Sequence, residues 1–233
     1  EAADEVFGGY PWYHVPALLA APTFPWAARG SWEPLLHPDV RARIRLGEYA
    51  ADRYAQALAE VPRLPGESRE DRRIREILYL GLTRWLPFLL DRKDRLSMAN
   101  SLEVRVPFCD HRLVEYVWNV PWSMKEAGGM EKGLLRAAAD GLLPADLLRR
   151  RKSIYPGAAD PAYERAIDAQ LRGLLARPDA PLFDLISCDR LTAAYAADPR
   201  LPGLMSVQPS STSPVAFLLD LNRWLEHSGV TIR

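Results

Sequence analysis

The chain is poor in most of what would make its chemistry easy to read. It has only two cysteines, Cys109 and Cys188, far apart and without metal-ligand spacing. That excludes a disulfide framework and predicts two reduced thiols with a packing role. The four histidines, His14, His37, His111 and His227, have no ligand spacing either, and no Ser-His-Asp order stands out. Neither a histidine metal centre nor a serine triad is expected. No glycine-rich P-loop is present to wrap a nucleotide. Net charge is absent too, since 30 basic residues balance 30 acidic ones, which removes bulk attraction to nucleic acid or to an anionic membrane. No apolar run approaches the roughly 20 residues of a membrane span, and no secretory signal is visible. The balance predicts a soluble, cytoplasmic protein of one or two domains.

Strand signals are nearly missing; residues 230–233 are the one candidate, and the chain reads as mainly α. Six prolines between Pro11 and Pro38 forbid a long helix there and predict an ordered loop. Residues 40–61 read as one polar helix with Ile44, Tyr54, Leu58 and Val61 inward. Ser68 and Asp71 resemble a capping box opening a core helix, with Ile74, Ile77, Leu78, Gly81, Leu82, Trp85 and Leu86 on one stripe. Pro87 is expected to kink or divide it. Asp110 is expected to cap a short helix stopped by Pro121, followed by helices over about 131–143 and from Pro144. Asp160-Pro161 and Ser213-Pro214 are matching helix starts. The second of these helices should place Leu218, Leu221, Trp224 and Leu225 inward and end at Gly229. Residues 198–214 read as a mobile loop.

Three stretches stand out chemically. The chain opens on E-A-A-D-E-V-F-G-G-Y, with carboxylates at Glu1, Asp4 and Glu5 closed by Gly8 and Gly9, the look of one wall of a cation and substrate site. Between Asp91 and Arg112, ions alternate with apolar residues, and Glu103, Arg105 and Asp110 surround V-P-F. This is either a buried ion network held against the core or a scaffold shaping a pocket for a charged small molecule. Finally, Lys132 and Lys152 are 20 residues apart, and Arg149, Arg150, Arg151 and Lys152 run consecutively. A phosphate would explain that run; a solvated basic face is the alternative.

Taken together these segments resemble one family, the glutamine-hydrolysing asparagine synthetases. Residues 1–10 are similar to its (S)G-E-x-x-D-E-x-F-G-G-Y motif, and D-R-L-S-M-A-N-S-L-E-V-R-V-P-F-C-D at 94–110 to D-R-x-S-M-x-x-x-x-E-x-R-x-P-F-L-D. E-K-G-L-L-R at 131–136 resembles E-K-x-x-L-R, and L-P-A-D-L-L-R-R-R-K at 143–152 resembles L-P-x-x-x-x-x-R-x-K. Residues 11–60 and the tail from 155 look like actinobacterial members. Cys109 stands for the usual Leu of P-F-L-D, and Ala3 for a frequent Gly or Ser.

The resemblance implies the helical C-terminal portion of an α/β adenine-nucleotide α-hydrolase-like (PP-loop ATP pyrophosphatase) synthetase domain. It also implies that the S-G-G-x-D-S pyrophosphate loop and a glutaminase domain lie upstream, so the chain starts inside its own active site and is inactive alone. The implied reaction uses ATP and Mg2+ to adenylate the aspartate side chain, which glutamine-derived ammonia then attacks. By motif position, Glu1 handles the ammonia, Asp4 contacts magnesium, and Glu5 orients substrate. Gly8 and Gly9 give close backbone passage, while Lys132 and Lys152 face the triphosphate and departing pyrophosphate. Glu103 and Arg105 serve the substrate side chiefly as scaffold. A homodimer remains open as an assembly, without nucleic acid or membrane. A β-lactam synthetase or lasso-peptide cyclase-like ligase, and a helical interaction module, are the alternatives.

Overall fold

The computed structural model describes residues 1–28, 30–152, 160–201, 204 and 213–230. It is mainly helical, and no strand occurs among the described residues, so a PP-loop sheet is not seen in them. In chain order the helices are α1 (Ala3–Phe7), α2 (Pro16–Leu19), α3 (Pro38–Ile44), α4 (Leu46–Ala59), α5 (Arg69–Leu80), α6 (Leu86–Met98) and α7 (His111–Trp118). Next come α8 (Trp122–Lys125), α9 (Gly133–Ala138), α10 (Ala145–Arg149), α11 (Pro161–Leu175), α12 (Cys188–Ala197) and α13 (Pro214–Ser228). None is long and apolar enough to cross a membrane among the described residues. The candidate strand at 231–233, and most of the loop expected between 198 and 214, lie outside the described residues.

The chain divides into two compact units, the first made of residues 1–25 and 53–153, the second of 26–52 and 154–233. In the first unit, the five-residue α1 is too short to persist alone. Burial holds it: Val6 and Phe7 sit with Ala2, Leu86 and Val117, and Leu113, Val114, Leu134 and Cys109 pack around them. Each large apolar side chain so covered contributes roughly 1.5–3 kcal/mol. The chain enters α1 through Ala2, which is fully buried and left-handed at φ 70°. Ala3, which stands for a frequent Gly or Ser, is the first residue of the helix, and the left-handed position is Ala2.

Helix α5 starts as anticipated: Ser68 Oγ accepts from the Asp71 N–H at 3.0 Å, and its hydroxyl donates to Asp71 Oδ2 at 2.7 Å. The division expected at Pro87 falls just before it, and the proline lies in the first turn of α6. A π-helical turn, Gly81–Trp85, joins α5 to α6, with Leu86 N–H reaching back to Gly81 O. Proline removes one donor and crowds the carbonyl four residues earlier, and widening the preceding turn absorbs that conflict. The expected helix over 131–143 is shorter, ending at Ala138.

The second unit has its own core of Leu35, Leu36, Leu171, Leu182, Leu191 and Leu218. Asp160 Oδ1 accepts from Ala162 N–H at 2.8 Å and Ser213 Oγ from Val215 N–H at 3.2 Å, so both Pro-led helices start where the sequence places them. Gly229 ends α13 in the left-handed conformation. Trp224 is not inward; it is 55% exposed, and Asn222 takes the inner position, accepting from Leu182 N–H at 3.2 Å. The single helix read over 40–61 is broken by Arg45 at φ 48°, which leaves Ile44 43% exposed. Helix α12, with Leu191 and Tyr195 buried, has no counterpart among the helices expected from sequence.

Candidate active site

The opening segment and the two lysines meet within the first unit. Asp4 Oδ1 accepts from Lys132 Nζ at 3.0 Å and from Lys152 Nζ at 2.8 Å. Since both ammonium groups touch one oxygen, their nitrogens lie within about 6 Å of each other. At that separation and an effective dielectric of about 20, their mutual repulsion is about 3 kcal/mol. Asp4 offsets it, and an arriving polyanion would offset it further. Each ammonium has more N–H donors than these contacts use.

Three local devices build the cluster. The first is the Gly8-Gly9 pair. Gly8 ends α1 at φ 73°, and a Cβ there would strike the Trp122 ring at 2.5 Å. A Cβ on Gly9 would fall 1.9 Å from Asp4 Oδ1, so only glycine leaves the carboxylate room to reach the lysines. The second is Lys132 itself, held left-handed at φ 58° as the N-cap of α9. A non-glycine residue in that region costs about 1–3 kcal/mol, strain of the kind that collects at functional sites.

The third device is a clamp that fixes the stretch of backbone carrying Lys152. Glu131 Oε1 accepts from Lys152 N–H at 2.8 Å and from Arg136 Nη2 at 3.1 Å. Arg136 also donates to the carbonyls of Glu131, Leu148 and Arg150. Burial alone would raise the Glu131 carboxyl, but the Lys152 N–H and the Arg136 and Lys132 charges outweigh it and leave the group below its ordinary range. In the sequence Glu131 and Arg136 stand as motif letters without this role. A signal exists nonetheless: an acid and an arginine five residues apart bracket a lysine.

Tyr10 is another residue that sequence reasoning misses. Its ring lies under Lys152, with Nζ 4.2 Å from the centroid, and stacks on Trp12 at 4.1 Å. Its hydroxyl donates to Glu5 Oε1 at 2.9 Å. Glu5 is 1% exposed, beneath the cluster rather than on its surface. Burial, its largest influence, raises the Glu5 carboxyl, with the Tyr10 hydrogen bond opposing.

The other expected site residues are placed differently. Glu1 pairs with Lys93 Nζ at 3.5 Å. Glu103 and Arg105 pair with each other at 2.8 Å while 68% and 83% exposed. The buried network expected around V-P-F is therefore corrected: two residues of spacing let these ions satisfy one another in solvent, and nothing forces them inward. Asp110 behaves alike, with the Arg112 side chain and N–H holding its carboxyl down at about 2. Among the described residues, neither Glu103 nor Arg105 bonds to the Asp4 cluster. Cys109 packs by α1, and both cysteines are free thiols.

Among the described residues, no three His, Cys, Asp or Glu side chains gather as a ready metal site. What the cluster offers instead is paired ammonium groups beside a carboxylate, suited to a phosphate chain.

A family model described as asparagine synthase matches residues 1–226. The glutamine-hydrolysing asparagine synthetase 3 of Bacillus subtilis is 40% identical over 231 residues, covering 97% of this chain and 37% of that protein. Asparagine synthetase 1 of the same bacterium is 37% identical over 84 residues, 36% of this chain and 13% of the relative. The human enzyme is 38% identical over 92 residues, 38% of this chain and 15% of the relative. The chain thus spans well under half the length of these relatives. A match over nearly all of its residues shows that the chain belongs to the asparagine synthase family.

Proposed function

We propose that this chain forms part of a cytoplasmic, ATP-dependent amide ligase. It activates the side-chain carboxylate of aspartate as an acyl-adenylate and passes glutamine-derived ammonia to it, giving asparagine, AMP and pyrophosphate. The convergence of Lys132 and Lys152 on Asp4 carries this reading. As the aspartate carboxylate attacks the α-phosphorus, charge builds on the departing pyrophosphate, and two fixed ammonium groups lower the energy of that state. Glu131 and Arg136 keep Lys152 in register for it.

Asp4 fits Mg2+ as an ion shared with phosphates rather than caged by protein. Oδ1 is occupied by the lysines, while Oδ2 has no hydrogen-bond partner among the described residues, and a hard cation completes its shell with phosphate and water oxygens. When bound, the ion would draw charge from the triphosphate. Glu1 then takes the proton from ammonia as the new carbon–nitrogen bond forms, with Lys93 setting its position. Pyrophosphate-loop residues of the S-G-G-x-D-S type, not found in these 233 residues, must complete the nucleotide grip, and glutamine hydrolysis needs a further domain.

ATP–pyrophosphate exchange with aspartate tests the reading. The full-length protein should support exchange and this chain alone should not. No exchange by the full-length protein would sink the ligase assignment. Exchange that depended on another carboxylic acid would keep the chemistry and overturn the substrate.

A further inference from the structure

We propose that Tyr10 is a positioning residue for Lys152, a platform whose ring face holds the lysine ammonium over the phosphate-binding cluster while its hydroxyl is anchored from below by Glu5. The proposal deepens the ligase reading and rests on it for the role of Lys152.

The geometry is a vertical stack. The Lys152 ammonium sits 4.2 Å from the Tyr10 ring centroid, well inside the roughly 6 Å over which an aromatic face attracts a cation. Its other contacts are Asp4 Oδ1 at 2.8 Å and Gly9 O at 3.4 Å. Lys132 shares Asp4 with it, but no ring contact of Lys132 occurs among the described residues. Below, the Tyr10 hydroxyl donates to Glu5 at 2.9 Å, and Trp12 backs the ring at 4.1 Å with Trp85 edge-on at 6.4 Å. The ring therefore has little freedom to turn.

A phenol donating to a carboxylate gains electron density, which makes its ring face more negative and improves it as a seat for a cation. Burial and the neighbouring Glu5 charge push the Tyr10 phenol far above its ordinary range, so it stays a donor throughout the working pH range. A lysine side chain has several rotatable bonds and would otherwise wander. Asp4 shares its Oδ1 between Lys152 and Lys132, so that contact does not distinguish the two lysines. Tyr10 thus gives Lys152 a seat that Lys132 does not share among the described residues.

Competitive amine acetylation of the native full-length protein, read by mass spectrometry as the ratio of Lys152 to Lys132 labelling, tests this without depending on activity. Loss of the ring contact in Tyr10→Leu should raise that ratio roughly three- to thirty-fold, the range a cation–ring contact spans. Tyr10→Phe keeps the ring and should restore most of the wild-type ratio. Thermal stability should fall in both variants, because both deprive the buried Glu5 of its donor; labelling should follow the ring alone. In the exchange assay, Tyr10→Leu should slow turnover about tenfold on the same scale, and should cost nothing further in a Lys152→Ala background. An unchanged ratio, equal increases at both lysines, or additive effects in the double variant would overturn the proposal. If labelling shifts as expected while even the unaltered protein shows no exchange, the platform stands and the ligase reading falls.

Discussion

Asp4 draws its cations from 128 and 148 residues away, whereas Arg105 and Arg112 find their carboxylates two residues back. Both regions are dense in charge and both belong to family motifs, yet they use that charge differently. A local pair closes with a turn of backbone, remains in solvent, and is worth about 0–1 kcal/mol. A long-range cluster needs helix α1, the left-handed Lys132 and the Glu131–Arg136 clamp before its ions can meet. That much scaffolding, used to bring two like charges to one oxygen, separates the Asp4 cluster, the proposed phosphate site, from the charged side chains of 103–112, which pair in solvent.

The comparison can be broken at several points. The largest effect is expected from Lys152→Ala in the full-length protein: exchange falls about a hundred- to a thousand-fold, the size seen when a charge-stabilising donor is lost, while glutamine hydrolysis is nearly unchanged. An equal fall in both activities would move Lys152 away from the phosphate side. Gly9→Ala comes next. Its new methyl would overlap Asp4 Oδ1, so exchange should drop at least about tenfold, with a stability cost of about 1–3 kcal/mol in thermal melts.

Glu5→Gln should have a smaller, pH-dependent effect. Burial raises the folded-state value of Glu5 above its ordinary 4.5, so the folded protein keeps this proton at pH values where the unfolded chain has lost it. The stability due to this group is thus greatest at low pH and declines as pH rises from 4.5 to the folded value, then levels off. Melting temperatures of Glu5→Gln and the unaltered protein, compared across pH, should shift in favour of the variant over that interval. A shift the other way would mean that Glu5 is held charged. The smallest effect is expected at Arg105→Ala: under about 0.5 kcal/mol in denaturant melts and no change in exchange. A large loss there would erase the contrast between the two regions.

Helix starts are legible wherever one side chain does the work locally, as at Ser68, Asp110, Asp160 and Ser213. The approach of Asp4 to Lys132 and Lys152 is legible only through motif resemblance, since no spacing rule links residues so distant. Breaks stay hidden where an ordinary residue takes an unusual conformation: nothing about Arg45 or Lys132 announces a positive φ. Helix α12 escapes notice because its alanine-rich stretch buries just Leu191 and Tyr195, too sparse a stripe to stand out. Hydrophobicity places Trp224 inward, but the smaller Asn222 wins that place by bonding to backbone. Glu103 and Arg105 show the opposite failing, because alternation with apolar residues looks the same whether the ions are buried or merely paired.

The π-helical turn at Gly81–Trp85 fits one residue more into a turn than an α-helix does. Its position is next to the buried layer under α1: a Cβ on Gly81 would lie 3.1 Å from the Tyr13 hydroxyl and 3.8 Å from Glu5 Cγ. Each residue turns an α-helix by about 100°. The extra residue therefore sets the rotational phase of α6 against α5, like one added tooth on a gear. Removing it would leave α5 where it is and swing Leu86 away from the side of α6 it now buries, withdrawing part of the floor on which the five residues of α1 rest.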